Sequence, residues 1–357
     1  MISIMDIPSL LVFGGSSLGG LYEDIDEATA LECVRCALQD HRIQAIDTAP
    51  HYGCGAAEAR LGRILGILKV PPGAVKVFTK VGRVMVPKED AAALGDLDIE
   101  ESNRPGSAAC VFPGADPSVV PVLDYSAAGM AQSYRDSRAR LQGYRIFGLR
   151  VHDCDSPARL QALTSGGGID YLAALRRDEG VHISLGTNSV EYCRRLIEAM
   201  PGLLDSVLIA NAWNLLQHPA ESVELFRKCA KGGIQVQLAG VFASGVLASP
   251  LRTSQVRFMY SADIDPTVVT AVAAWAALAG EFRLSLPTVA LHFALLPRKL
   301  LKSPACPDMQ IVVGFRDKCE VDQCVACLVD AVVPSALWRT ARERGLLGEH
   351  VMEFVYE

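Results

Sequence analysis

The 357-residue chain lacks an apolar run long enough to cross a bilayer: its longest uncharged apolar stretch, roughly residues 266–280, falls short of the ~20 residues a membrane helix needs. No membrane association is expected. The opening residues, MISIMDIPSLLVFGG, have no basic segment and carry an acid at Asp6, so no secretory signal is expected either. Basic blocks are missing too. With 34 Lys+Arg against 40 Asp+Glu the net charge is −6, which offers no patch for polyanions and argues against nucleic acid as a partner. The glycine-rich GGSSLGG lacks the Gly-x-Gly-x-x-Gly spacing of a dinucleotide-binding turn, so it gives no support to a Rossmann fold. No internal repeat, low-complexity tract or linker divides the chain. Cysteine is not scarce, but its eleven residues are odd in number and scattered, which points to reduced thiols and a cytoplasmic setting rather than a disulfide framework.

What is present is an alternation of short β-branched runs with longer helical patterns. LVFGG, AID ending at Asp47, VKVFTK ending at Lys80, FGLRVH ending at His152, HISLGTN, SVLIAN, IQVQLAG and MQIVVGF read as buried strands. Helices are expected over residues 58–66, 127–141, 157–177, 190–200, 220–230, 267–282 and 320–330. About eight such β-then-α units predict parallel strands closed into a (β/α)8 TIM barrel, an α/β fold, with the whole of residues 1–357 forming one domain. Residues 82–123, rich in Pro, Gly, Asp and Ala, form a long irregular insertion that reads either as a substrate lid or as a bystander loop.

In such a barrel the C-terminal strand ends form one rim, where chemistry is sited. Three expected strands end in ionisable residues there: Asp47 with Tyr52 just beyond it, Lys80 and His152. An isolated phenol, with a pKa of about 10, moves protons poorly near neutrality. A neighbouring ammonium favours the phenolate, a carboxylate holds that ammonium charged and in place, and an imidazole can orient a carbonyl or hydroxyl oxygen. Any one of these residues alone would read as structural; their joint placement on one rim favours a site.

The same residues carry a family resemblance. DTAPHYG followed by EARLG, TKVGR and VHD resembles the aldo-keto reductase superfamily, whose members are (β/α)8 barrels using a nicotinamide cofactor. FGGSSLGGLY, IDTAPHYG, FTKVGR, DYSAAGMAQSYRDSRARL and FASGVLA are most similar to its branch of D-threo-aldose 1-dehydrogenases, which includes L-fucose, D-arabinose and pyridoxal 4-dehydrogenases and oxidises an anomeric carbon to a lactone. The resemblance implies Tyr52 as proton-transfer residue, Lys80 and Asp47 as its tuners, and His152 as the group positioning the substrate oxygen. It places Thr187 and Asn188 at the carboxamide, Ser244 and Gly245 at the pyrophosphate, and Arg316 and Glu320 near the adenosine ribose. Glu320 would accept from a 2′-hydroxyl and repel a 2′-phosphate, which leans towards NAD, whereas Arg316 could hold the phosphate of NADP. His51 is either a substrate contact or a solvent-facing rim residue.

Two departures stand out. ANAWNLL puts Trp213 where relatives carry a tyrosine and Ala212 where they carry an arginine, so Trp213 is expected to stack on nicotinamide or substrate. VHDCD replaces the commoner His-Asp-Pro-Asp. The resemblance thus implies a small sugar or aldehyde as substrate, in a monomer or homodimer. NADPH-dependent carbonyl reduction and a nicotinamide-binding regulatory subunit with little turnover are the alternatives. CVRC and CVAC have zinc-like spacing, but each pair lies in a helical pattern where cysteine packs as a small apolar residue, and no metal is expected. Trp275, in an Ala-rich helix, reads as core.

Overall fold

A computed structural model describes residues 2–91, 105–106, 110–248, 258, 261, 263–301 and 308–356. Eight strands close into a parallel barrel: β1 (Leu11–Gly14), β2 (Ala45–Asp47), β3 (Lys76–Val81), β6 (Ile146–His152), β7 (His182–Thr187), β8 (Ser206–Ala210), β9 (Gln235–Ala239) and β10 (Gln310–Gly314). Around the wall the order is β1, β10, β9, β8, β7, β6, β3, β2. All eight expected strands are thus barrel strands.

Strand periodicity decides which side chains face the lumen. Phe13, Ile46, Val77, Leu149, Ile183, Val207, Leu238 and Ile311 point outward into the main apolar core under the helices. Their neighbours Val12, Ala45, Phe78, Leu208 and Val312 fill the lumen as a smaller cluster. Above that layer the lumen turns polar: Asp47, Lys80, Arg150, Ser184 and His152 are all buried on the inward side. The register sets Lys80 beside Arg150 and His152 beside Gly186, so consecutive strands deliver their charged residues at one height.

The outer helices start where short polar side chains can cap them. Asp26, Ser126, Ser156, Ser189, Ser285 and Asp317 each accept a hydrogen bond from a first-turn backbone N–H. One expected helix is two. Residues 157–177 are broken into Pro157–Ser165 and Gly168–Glu179, because Gly167 takes a left-handed conformation that ends one helix and starts the next.

The insertion at 82–123 is also more ordered at its ends than its composition suggests. β4 (Arg83–Pro87) and β5 (Val119–Leu123) pair antiparallel from Arg83–Leu123 to Pro87–Val119, making a hairpin stem on the rim beyond β3. Among the described residues no single helix is long and apolar enough to cross a membrane.

Candidate active site

Asp47 ends β2 and the chain then turns sharply to present Tyr52. The turn is clamped by backbone contact: a Cβ at Gly19 would lie 2.6 Å from the Tyr52 carbonyl group, and Gly53, at φ +62°, sits equally close to Gly19. Only glycine permits both the approach and the backbone angle. Lys80 rises from β3 into the same space. Its ammonium donates to Asp47 Oδ2 at 2.6 Å, to the Thr48 carbonyl at 2.8 Å and to Tyr52 Oη at 3.0 Å, so all three of its protons are directed.

Asp47 has a second cation. Arg150, fully buried in the lumen, donates through Nε to Asp47 Oδ1 at 2.7 Å and through Nη1 to Ser184 at 2.6 Å. One carboxylate therefore spans two buried cations, which leaves a net positive charge beneath the phenol. The sequence reading missed Arg150, although its place two residues before His152 on one strand puts both on the same face. Its guanidinium also lies over the Phe78 ring, 4.3 Å from the centroid.

His152 and His51 complete the cluster. Their rings are 4.7 Å apart, and His51 is 4.9 Å from the Tyr52 ring. His51 is buried, which removes the solvent-facing alternative. His152 Nε2 lies 3.5 Å from Asp153 Oδ2, which in turn accepts from Arg83 Nη1 at 2.9 Å. Tyr125 Oη donates to the His152 carbonyl at 2.6 Å. The stem of the insertion thus braces the histidine. Nδ1 of both histidines is buried with no protein partner.

Burial dominates the electrostatics. It holds the Tyr52 phenol well above its ordinary pKa, with Asp47 and Asp153 adding to the rise and Arg150 and Arg83 opposing it. The expectation that the lysine would bring the phenol down is not met, because desolvation of a phenolate outweighs the nearby positive charge. Burial likewise lowers Lys80, against Asp47, which favours the ammonium. It places His51 and His152 well below the usual histidine value, with Arg83 next in both cases. Neutral phenol and neutral imidazoles near neutral pH make a proton-donating, hydrogen-bonding site.

Residues 110–112 of the insertion lie against this cluster. Phe112 meets His51 edge-on at 5.6 Å and lies 5.9 Å from the Tyr52 ring, while the backbone of Val111 accepts from Tyr22 N. Cys110, Val111, Phe112 and Ala115 form a small apolar cluster packed against Leu21, Tyr22, Tyr52 and Cys54. Phe112 carried no sequence signal, since one aromatic in an irregular stretch has no periodicity to mark it.

The expected cofactor contacts lie on other arcs of the rim. Thr187 ends β7, where its Oγ1 accepts from Ser189 N at 3.0 Å in a local turn. Asn188 accepts from Asn211 Nδ2 at 2.9 Å, and Asn211 Oδ1 is buried without a protein partner. Asn211, at φ +56° just past β8, was not anticipated. A cleft of about 510 Å³ opens beside this pair, lined also by Gln217, His218 and His350. It lies across the barrel mouth from Tyr52, β8 being four strands from β2.

After β9, Ala243, Ser244 and Gly245 all have positive φ, and a Cβ on Gly245 would meet nothing within 4 Å. The N–H groups of Ala243 and Gly245 donate within the turn, to the Gly240 and Phe242 carbonyls at 2.9 Å each, so what the turn leaves open is the space beside Gly245. Arg316 and Glu320 bind each other: Arg316 Nε and Nη2 reach Glu320 Oε1 at 2.9 and 2.8 Å, and Arg316 N donates to Oε2 at 2.8 Å. Glu23 stands 3.9 Å from Arg316 Nη1.

Trp213 is a correction. Its side chain is fully buried among outer helices, stacked on Phe293 at 5.2 Å and against Phe226 and Phe354, with Nε1 donating to the Phe293 carbonyl. It turns away from the rim because Asn214 pins the loop, accepting from Leu216 N and Gln217 N and donating to the Gly240 carbonyl. Trp275 is core, as expected.

Residues 10–328 match the family described as "Aldo/keto reductase family". The chain is 29% identical to pyridoxal 4-dehydrogenase of Microbacterium luteolum, with 94% of each chain covered. It is 28% identical to D-threo-aldose 1-dehydrogenase of a Pseudomonas species, covering 96% of this chain and 95% of that one. A glycerol dehydrogenase structure from Gluconobacter oxydans superposes with a TM-score of 0.66 at 18% identity, over 96% of this chain and 92% of the other.

Proposed function

Because the chain belongs to the aldo/keto reductase family, we propose that it is an NAD-linked dehydrogenase that oxidises the C1 hydroxyl of a cyclic aldose to the lactone, with Tyr52 moving the proton. The observation that carries the reading is the three-way hydrogen bonding of Lys80 to Asp47, Thr48 and Tyr52 beneath two buried histidines. Full-length similarity to an aldose dehydrogenase and a pyridoxal dehydrogenase supports the substrate class.

The residues present fit a nicotinamide dinucleotide. Asn211 has a buried, unpartnered oxygen beside Asn188 for a carboxamide, and the Ala243–Ser244–Gly245 turn leaves free space beside Gly245 for a pyrophosphate. When bound, the nicotinamide supplies the hydride chemistry. The protein's own part is positional and protonic. A ring N–H of neutral His152 donates to the substrate oxygen and sets it against Tyr52 Oη. In oxidation, Tyr52, as phenolate or through a shared hydrogen bond, takes the hydroxyl proton, with the ammonium of Lys80 and the guanidinium of Arg150 offsetting its charge; Phe112 keeps water from the reacting oxygen. Glu320 and Glu23 set acidic groups beside Arg316, which supports NAD over a 2′-phosphorylated cofactor.

The raised phenol favours a second reading, NADPH-dependent reduction of an aldehyde, since a neutral Tyr52 is ready to donate. A screen of L-fucose, D-arabinose, L-galactose and pyridoxal with NAD or NADP, and of a simple aldehyde with NADH or NADPH, followed by absorbance of the reduced cofactor, separates the two. Sugar-dependent reduction of NAD supports the aldose dehydrogenase; inactivity with sugars and oxidation of NADPH by the aldehyde overturns it in favour of the reductase.

A further inference from the structure

We propose that Cys36, His41 and Asp322, outside the barrel and apart from the rim, form a binding site for a borderline transition-metal ion such as Zn2+ or Co2+. Cys36 Sγ, His41 Nε2 and a carboxylate oxygen of Asp322 lie within 4.8 Å of one another, and this is the one such group among the described residues. Cys36 Sγ is 3.3 Å and His41 Nε2 is 2.7 Å from the same atom, Asp322 Oδ1. Asp322 Oδ2 faces Lys318 instead, so the oxygen that would ligate is not the one engaged by the competing ammonium.

The backbone supplies an independent observation. Residues five apart on an α-helix point about 140° from each other, because each residue turns the helix by about 100°. Cys36 and His41 would then face different neighbours. Here the helix Glu27–Arg35 runs into a π turn, Cys36–Asp40, closed by a hydrogen bond from His41 N to the Cys36 carbonyl at 3.1 Å. The wider turn brings residue 41 back over residue 36, with both side chains towards Asp322 on the neighbouring helix Lys318–Val329. Such turns are rare and are found disproportionately at functional sites. Asp40, the acid within the π turn itself, is held by Arg35 at 2.9 Å and is not part of the set.

The donors are one thiolate, one imidazole and one carboxylate, which suit Zn2+ or Co2+ rather than Mg2+ or Ca2+. His41 and Asp322 are partly exposed, which gives an ion an entry path and leaves a fourth position to water. As the metal–sulfur bond forms, the Cys36 S–H bond breaks and its proton passes to solvent; the Asp322 carboxylate and the new thiolate balance the dication, and nothing is oxidised or reduced. Cys33, Cys324 and Cys327, which share the two Cys-x-x-Cys spacings, do not join the group. The bound ion would clamp the first barrel helix to the last.

Cobalt is the probe. Chelator-treated protein titrated with Co2+ should bind one ion per chain, release one proton and develop a thiolate-to-cobalt charge-transfer band in the near ultraviolet. Cys36→Ser should abolish the band, His41→Gln should weaken binding by at least ~10-fold, and Cys319→Ser, which alters an exposed thiol next to Lys318, should change neither. Zn2+ should raise the melting temperature of the parent protein and not that of Cys36→Ser. A band that survives Cys36→Ser, one that disappears in Cys319→Ser, or the absence of any band in the folded parent protein would overturn the proposal. No readout depends on turnover, so failure here and failure of the proposed activity are distinguishable.

Discussion

Replacing Tyr52 by phenylalanine removes one oxygen from the centre of the proposed site and little else. Lys80 loses the 3.0 Å contact but keeps Asp47 at 2.6 Å and Thr48 at 2.8 Å, so two of its three directed protons stay satisfied. The stability cost is that of one unmade hydrogen bond, about 1–3 kcal/mol, small enough for the barrel to remain folded. The chemical cost is larger. A positioned general acid or base contributes about 10²–10⁴ in rate, which at ~1.4 kcal/mol per decade is about 3–5 kcal/mol of barrier. Steady-state kcat/KM should therefore fall by that factor in both directions, with cofactor Kd, read by fluorescence titration, unchanged. Lys80→Met should lose nearly as much while Arg150 still neutralises Asp47. Because Lys80 acts through the phenol, the double variant should be no worse than Tyr52→Phe alone. Turnover of Tyr52→Phe within tenfold of the parent, or losses that multiply in the double variant, would refute this assignment.

His51 and His152 both have folded pKa values depressed by burial and by Arg83, so below about pH 6.5 the unfolded chain binds protons that the folded chain refuses. Stability should fall on acidification through that window, by up to about 1.4 kcal/mol per pH unit per histidine; urea unfolding of His51→Gln should show a shallower slope, and an unchanged slope would count against it. Glu320→Gln dissolves the pairing with Arg316 and should raise the NADP-to-NAD ratio of kcat/KM by about tenfold, the worth of one charge-assisted contact of ~1.4 kcal/mol; a constant ratio would mean that Glu320 is only an acid in the first turn of its helix. Phe112→Ala should raise the KM for substrate while leaving cofactor affinity alone, and an unaltered KM would mean that Phe112 does not cover substrate.

The barrel was legible because its signals are local. Buried parallel strands are short and β-branched, and the helices between them have their own period, so eight units could be counted without knowing how they pair. Asp47, Lys80 and His152 were legible for the same reason, as polar residues ending apolar runs. What escaped was set by contacts distant in sequence. Arg150 reads as an interruption of a strand until its partner Asp47, 103 residues earlier, is placed beside it. Trp213 misled because a resemblance in sequence position does not fix side-chain direction; Asn214, one residue on, sends it into the core. The hairpin stem escaped because β4 and β5 pair only with each other across an irregular stretch.

That stem bears on how such enzymes can be re-tailored. Arg83, its first residue, grips Asp153 beside His152, and Ser133 ties back to the Arg83 carbonyl at 3.0 Å, so the base of the insertion belongs to the frame, while Phe112, between β4 and β5, lies against His51 and Tyr52. Divergence of specificity then has a natural seam: exchanging the segment that carries Phe112 while keeping β4 and β5 would leave Arg83 on Asp153, whereas a splice at residue 82 or 124 would take His152's brace away.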